Sequence, residues 1–223
     1  MGIVWSGRRV EGIVFDVDGT LTDSIEAYYE GFREVMAKVG IQIKREDILE
    51  PMATGSLIWD RVIPASIADR DEKIRQCMEL IPQIYREVFK SVQPFPGLEP
   101  VLMRLEEKGV CLGVLTASRG IAVQPLHHHS LIRYFRAIIT REEGFPNKPA
   151  PDGILECLKR MEILPNQAIT IGDTPLDIRA GKAAGTLTVG VLSGIGSRAQ
   201  LQAEEPTAIL ERVSDLLSLF DPE

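Results

Sequence analysis

Short apolar runs recur along the chain, each closed by a turn residue or a polar group: Val10–Phe15, Val110–Leu115, Ala137–Ile139, Ala168–Ile171 and Leu187–Val191. Near-continuous apolar runs are what strands buried on both faces require. Between the later runs, apolar positions fall at helical spacing over Leu98–Lys108, Pro151–Met161 and Leu176–Ala184. Strands alternating with helices predict a doubly wound α/β fold, a parallel sheet with helices on both faces.

One stretch breaks the alternation. From Ser24 to Gln93 no strand pattern occurs; Tyr28, Phe32, Val35, Met36 and Val39 mark one helix face, and Ile74, Cys77, Met78, Ile81, Ile84, Tyr85 and Val88 another. It is too long for a single crossover helix and reads as an all-helical insert. Clustered proline and glycine in Pro94–Pro100 mark the return of the chain. The expected organisation is therefore a core of residues 1–23 and 94–223 with an insert of residues 24–93, joined by two connections near Asp23 and Pro94.

Charge and composition narrow the function. The 223 residues carry 32 acids against 25 bases, a net −7 that argues against nucleic acid as the main partner. No apolar run reaches the ~18–20 residues of a membrane span, so no membrane partner is expected. The segment Met1–Arg9 lacks the apolar core of a signal peptide. Cys77, Cys111 and Cys157 form no C-x-x-C and read as free thiols, so the expected location is cytoplasmic.

The strongest chemical feature is Asp16-Val17-Asp18-Gly19-Thr20-Leu21-Thr22-Asp23-Ser24, directly after the first apolar run, with Asp16–Thr20 as its leading motif. Ligands of open α/β sheets bind beyond the carboxyl ends of the strands, where this segment falls. Two carboxylates aimed at one bound group suit attack on an electrophile by one and proton transfer by the other. Their mutual repulsion calls for a cation, and Mg2+ with oxygen ligands is the natural one. A lone D-x-D is more often a helix-capping turn; the preceding strand and following Gly-Thr set this one apart.

Three further segments follow in order: Thr116-Ala117-Ser118 after a strand, Asn147-Lys148-Pro149 before a helix, and Gly172-Asp173-Thr174-Pro175-Leu176-Asp177 after another strand. With the first motif they resemble the haloacid dehalogenase superfamily, in particular its small phosphatases with a helical cap and the phosphoglycolate-phosphatase-like branch. The resemblance implies a Rossmann-like core and a Mg2+-dependent phosphatase acting on a small phosphorylated metabolite. It implies Asp16 as nucleophile, forming an aspartyl phosphate, and Asp18 as acid and base. Asp16, Asp18 through its carbonyl, and Asp173 would hold the metal. Thr116, Ala117 and Lys148 would bind phosphate, and Asp177 would orient Lys148 or a metal-bound water. On the same resemblance the cap turn at Thr54, Gly55 and Ser56 would set specificity, its hydroxyls suiting a small polar head group.

Nearby bases Lys44, Arg45, Arg61 and Arg119 are candidates for a second anion of the substrate. The motif Thr116-Ala117-Ser118 departs from the Thr-Asn or Ser-Asn of many relatives, which bears on the leaving group. His127-His128-His129 reads as a polar helix end rather than a chelate, because adjacent side chains diverge. Gly190–Gly196 reads as a turn cluster, lacking the G-x-G-x-x-G spacing. A β-phosphoglucomutase-like mutase on the same scaffold and a catalytically silent binding protein are the competing readings. Either a monomer or a homodimer is expected.

Overall fold

The computed structural model describes residues 2–220. A two-stranded antiparallel hairpin, β1 (Ile3–Trp5) and β2 (Arg8–Val10), leads directly into β3 (Gly12–Phe15). The first apolar run thus divides at Glu11: Val10 closes the hairpin and Gly12 opens the sheet, a break that hydrophobicity alone does not mark.

After β3 come α1 (Ile25–Lys38), α2 (Glu46–Thr54), α3 (Ile58–Val62) and α4 (Arg70–Val88), with no strand among them. Then α5 (Leu98–Glu107), β4 (Cys111–Leu115), α6 (Gln124–His128), β5 (Phe135–Ile139) and α7 (Asp152–Met161) follow, and β6 (Ala168–Gly172), α8 (Pro175–Ala184), β7 (Leu187–Val191), α9 (Arg198–Ala203) and β8 (Ala208–Leu210) complete the order. The main sheet is six-stranded and parallel throughout, in the order β5-β4-β3-β6-β7-β8. This is the expected doubly wound α/β architecture; the hairpin and β8 are additions.

Alternation along β3 shows why both faces are covered. Ile13 and Phe15 join one apolar cluster, whereas Val14 joins the other, with Ile154, Cys157, Leu158 and Met161 of α7. Those four α7 positions fall at i, i+3, i+4 and i+7, one stripe of a helix laid on the sheet. On the opposite face Ile13 and Phe15 join Leu102 and Leu105 of α5.

Between β3 and β4, α1 packs along α4. Phe32, Val35 and Met36 of α1 and Cys77, Ile84 and Tyr85 of α4 are buried as the periodicity predicts, but Met78 is 49% exposed and lies off the face. The connections into and out of this helical segment run side by side: Asp23 N–H donates to Gln93 O (2.9 Å) and Phe95 N–H to Leu21 O (2.9 Å). Among the described residues, no helix is long and apolar enough to cross a membrane.

The strand order places the site. From β3 the chain builds outward through β4 and β5, then returns to build β6, β7 and β8 on the other side. A crevice opens where the winding reverses, between β3 and β6. Phe15 pairs with Val114 on one side and Ile171 on the other, so Asp16, Thr116 and Asp173 emerge at one sheet edge.

Candidate active site

A cavity of about 430 Å3 sits over that edge. Its floor includes Asp16, Asp18, Thr116, Ala117, Lys148, Asp173 and Asp177, so the structure brings together every core residue singled out from the sequence.

Asp16 is fixed by its backbone, whose N–H donates to Ile171 O at 2.8 Å. The Lys148 ammonium donates to Asp16 Oδ1 at 2.5 Å and also to Asp177 Oδ1. Asp177 holds its place because it is the third residue of α8: its Oδ2 accepts the Thr174 N–H (3.0 Å) and hydroxyl (2.6 Å), closing a capping box.

Asp18 lies across the turn from Asp16, in a shell of hydroxyls. Ser24 Oγ donates to its Oδ1 at 2.8 Å, and Thr116 Oγ1 to its Oδ2 at 3.3 Å. Tyr28 Oη is 3.1 Å from that same Oδ2 and 2.5 Å from Ser118 Oγ. Ser24 and Ser118 fall within the motifs read from the sequence but carry no role there, and Tyr28 lies outside those motifs. Tyr28 was absorbed into the apolar face of α1, and its phenol has no sequence signature of its own.

Asp173 directly follows β6 and is only 2% exposed. Its Oδ2 accepts the Ile195 N–H at 2.8 Å, and its carbonyl accepts the Gly196 N–H at 3.1 Å. The glycine cluster after β7 therefore builds the site. A Cβ at Gly194 would stand 1.9 Å from Asp173 Oδ2, so only glycine lets that loop close over the carboxylate.

Electrostatics follow from burial. Desolvation pushes the Asp16 carboxyl well above its usual range; Lys148 opposes this, while Asp177, Asp173 and Asp18 add to it. Burial also raises Asp18, against the hydroxyls of Ser24, Ser118 and Tyr28. Asp173 is pushed up to about 7, first by burial and then by the charge of Asp177. Burial disfavours the Lys148 cation, but attraction to Asp16 and Asp177 outweighs it and holds the amine protonated.

One ammonium thus faces four acids, and the raised carboxyl groups mark a site short of positive charge. Among the described residues no three His, Cys, Asp or Glu side chains converge as a ready metal cluster. The donors at hand are hard oxygens instead: the carboxylates of Asp16 and Asp173 on adjacent strand ends and the carbonyl of Asp18 in the turn after β3. That set suits a cation that keeps much of its water.

The wall formed by the helical segment differs from expectation. Gly55, with φ 76, ends α2 as a left-handed cap, its expected tight turn. Gly55 and Ser56 line the cavity, but Thr54 does not: its hydroxyl donates to Glu50 O (2.9 Å) and lies 2.8 Å from Ser56 Oγ. The surrounding wall is apolar, with Met52, Leu57, Ile58 and Trp59. Lys44, Arg45, Arg61 and Arg119 are not among its lining residues, whereas Arg141, which sequence reading passed over, is. His127, His128 and His129 are exposed at the end of α6 and do not line it either.

Known proteins resemble this chain. The phosphoglycolate phosphatase of Escherichia coli is 28% identical over 93% of this chain and 91% of its own length. The pyrophosphatase PpaX of Bacillus velezensis is 30% identical over 95% and 97%. The crystal structure of a β-phosphoglucomutase from Clostridium difficile superposes with a TM-score of 0.77 at 25% identity, over 93% of each chain. A family model described as haloacid dehalogenase-like hydrolase matches residues 13–191, from the strand before Asp16 to the strand after Asp177. On the strength of that match, which takes in both aspartate motifs and the lysine between them, this chain belongs to the haloacid dehalogenase-like hydrolase family.

Proposed function

We propose that this protein is a Mg2+-dependent phosphatase that hydrolyses a small phosphomonoester through an aspartyl phosphate on Asp16. The observation that carries the reading is the pairing of Asp16 with Lys148 at the sheet edge, beside a second carboxyl, Asp18, held by hydroxyls. The segment of residues 24–93 serves as a cap over the reacting centre.

Asp16 attacks phosphorus; an O–P bond forms, the ester P–O bond breaks, and its electron pair leaves on the alcohol oxygen. Asp18, whose carboxyl is shifted toward the protonated form by burial, donates a proton to that oxygen. It then takes a proton from the water that attacks phosphorus, and the Asp16 O–P bond breaks. Lys148 balances charge on the phosphoryl oxygens, and the Thr116 hydroxyl with the turn at Ala117 supplies donors to them. Asp16, the Asp18 carbonyl and Asp173 would hold Mg2+, which when bound neutralises phosphoryl charge and offsets the excess of buried acids. Asp177 fixes Lys148.

Phosphate release from p-nitrophenyl phosphate tests this. Activity is expected with Mg2+, with loss under excess chelator and in Asp16→Asn; metal-independent turnover, or an active Asp16→Asn enzyme, refutes the reading. The likeness to a β-phosphoglucomutase supports a second reading, transfer back to a sugar. Supplying a sugar monophosphate separates the two, since a mutase accumulates an isomer and a hydrolase accumulates free phosphate.

A further inference from the structure

We propose that the alcohol carried by the substrate is uncharged and mainly apolar, an aryl or branched-alkyl group seated against Met52, Leu57, Ile58 and Trp59. This rests on the phosphatase reading and specifies what that reading leaves open.

The four motifs account for the phosphoryl end of the cavity, so the alcohol must meet the wall supplied by residues 24–93. Among the described residues that wall contributes no charged side chain. The bases of the segment nearest the turn at Gly55 are engaged with acids of the same segment. Arg45 meets Glu26 at 3.0 Å, Lys44 meets Glu46 at 3.8 Å, and Arg61 meets Glu50 at 2.6 Å and Asp47 at 3.1 Å. The Thr54 hydroxyl is turned to Glu50 O and to Ser56 Oγ, away from the cavity. Both lining cations, Lys148 and Arg141, come from the core and not from this wall; the backbone N–H of Arg141 donates to Ser118 O at 3.0 Å.

A carboxylate or second phosphate laid on this wall would shed water without gaining a cationic partner. An apolar group there removes hydrocarbon from water on both sides. Leu57 is 71% exposed although it lines the cavity, and Trp59 lies against Phe32 with ring centroids 5.4 Å apart. Contact with the core does not account for this surface. At Gly55 the segment already lies beside Leu176, where an added Cβ would stand only 3.4 Å from its Cδ1, yet Leu57 stays open.

The test has a binding arm and a turnover arm. Calorimetric titration with Mg2+ present compares benzylphosphonate with phosphonoacetate, and kcat/KM is measured for benzyl phosphate, phosphoglycolate and pyrophosphate. The benzyl compound is expected to win both comparisons by about tenfold or more. Leu57→Lys, at an exposed position, should keep the melting temperature and lower the benzyl-to-phosphoglycolate ratio by about tenfold. Preference for phosphoglycolate or pyrophosphate, or a ratio untouched by Leu57→Lys, overturns the inference while leaving the phosphatase reading intact. Tighter binding of benzylphosphonate with no ester hydrolysed supports the apolar wall and overturns the phosphatase reading instead.

Discussion

The Lys148 ammonium contacts Oδ1 of Asp177, while Oδ2 of the same carboxylate caps α8 through the N–H and hydroxyl of Thr174. One side chain therefore ends a helix and aims the lysine that meets Asp16. Removing it disturbs both, and the two effects separate by choice of substitution. Asp177→Ala is expected to cost about 1–2 kcal/mol of stability through the lost cap and to depress kcat. Asp177→Asn retains an oxygen for the cap, so it should recover most of the melting temperature while kcat stays low. Thermal denaturation beside steady-state kinetics checks this; equal recovery of both would show that the charge on Asp177 does not matter.

Lys148→Ala removes the ammonium that faces Asp16 and Asp177. A fall in kcat of about 100-fold or more is expected, the scale of losing one preorganised partner of a developing charge. Full activity in this variant would remove Lys148 from the mechanism.

Tyr28 belongs to the helical segment yet sits 3.1 Å from Asp18 Oδ2. Its hydroxyl favours the Asp18 carboxylate, so Tyr28→Phe should raise the Asp18 pKa further. In the proposed mechanism Asp18 acts as base in the hydrolytic step, so the acid limb of the pH profile should move to higher pH. An unmoved limb would show that Tyr28 acts by packing alone.

The buried acids also link stability to pH. Asp16, Asp18 and Asp173 all have raised pKa values in the folded protein, Asp173 at about 7. The folded state then binds more protons than the unfolded one above about pH 4, so stability is present in acid and lost as pH rises through the folded values. Without divalent cation the melting temperature should fall between about pH 5 and pH 8. Added Mg2+ should restore it at pH 8 and do little at pH 5, where protons compete for the same oxygens. A melting temperature that rises over this range in the absence of metal contradicts the assignment.

At Gly194 an added methyl would stand 1.9 Å from Asp173 Oδ2, so Gly194→Ala should displace that carboxylate. Activity is expected to fall by about tenfold or more and the Mg2+ requirement to rise, as for other groups that orient metal ligands. Gly120→Ala is the control, because a Cβ there meets nothing within 4 Å.

The sequence by itself determined the layered α/β core, the helical stretch between Ser24 and Gln93, and the acids and lysine of the site. Strand burial on both faces demands unbroken apolar runs, and phosphoryl chemistry demands particular side chains at strand ends; both constraints are local and leave a readable pattern. Tertiary structure decided the rest. The hairpin at Ile3–Val10 and the edge strand Ala208–Leu210 are short, and their pairing partners, not their composition, make them strands. Tyr28, Ser118 and Ile195 reach the carboxylates only because distant segments fold against one another, at separations where no periodicity operates. The same holds for the cavity wall built by residues 24–93. Arg45, Lys44 and Arg61 are visible as charges in the sequence, but only the fold shows them engaged with acids and leaves Leu57 and Trp59 lining the cavity instead.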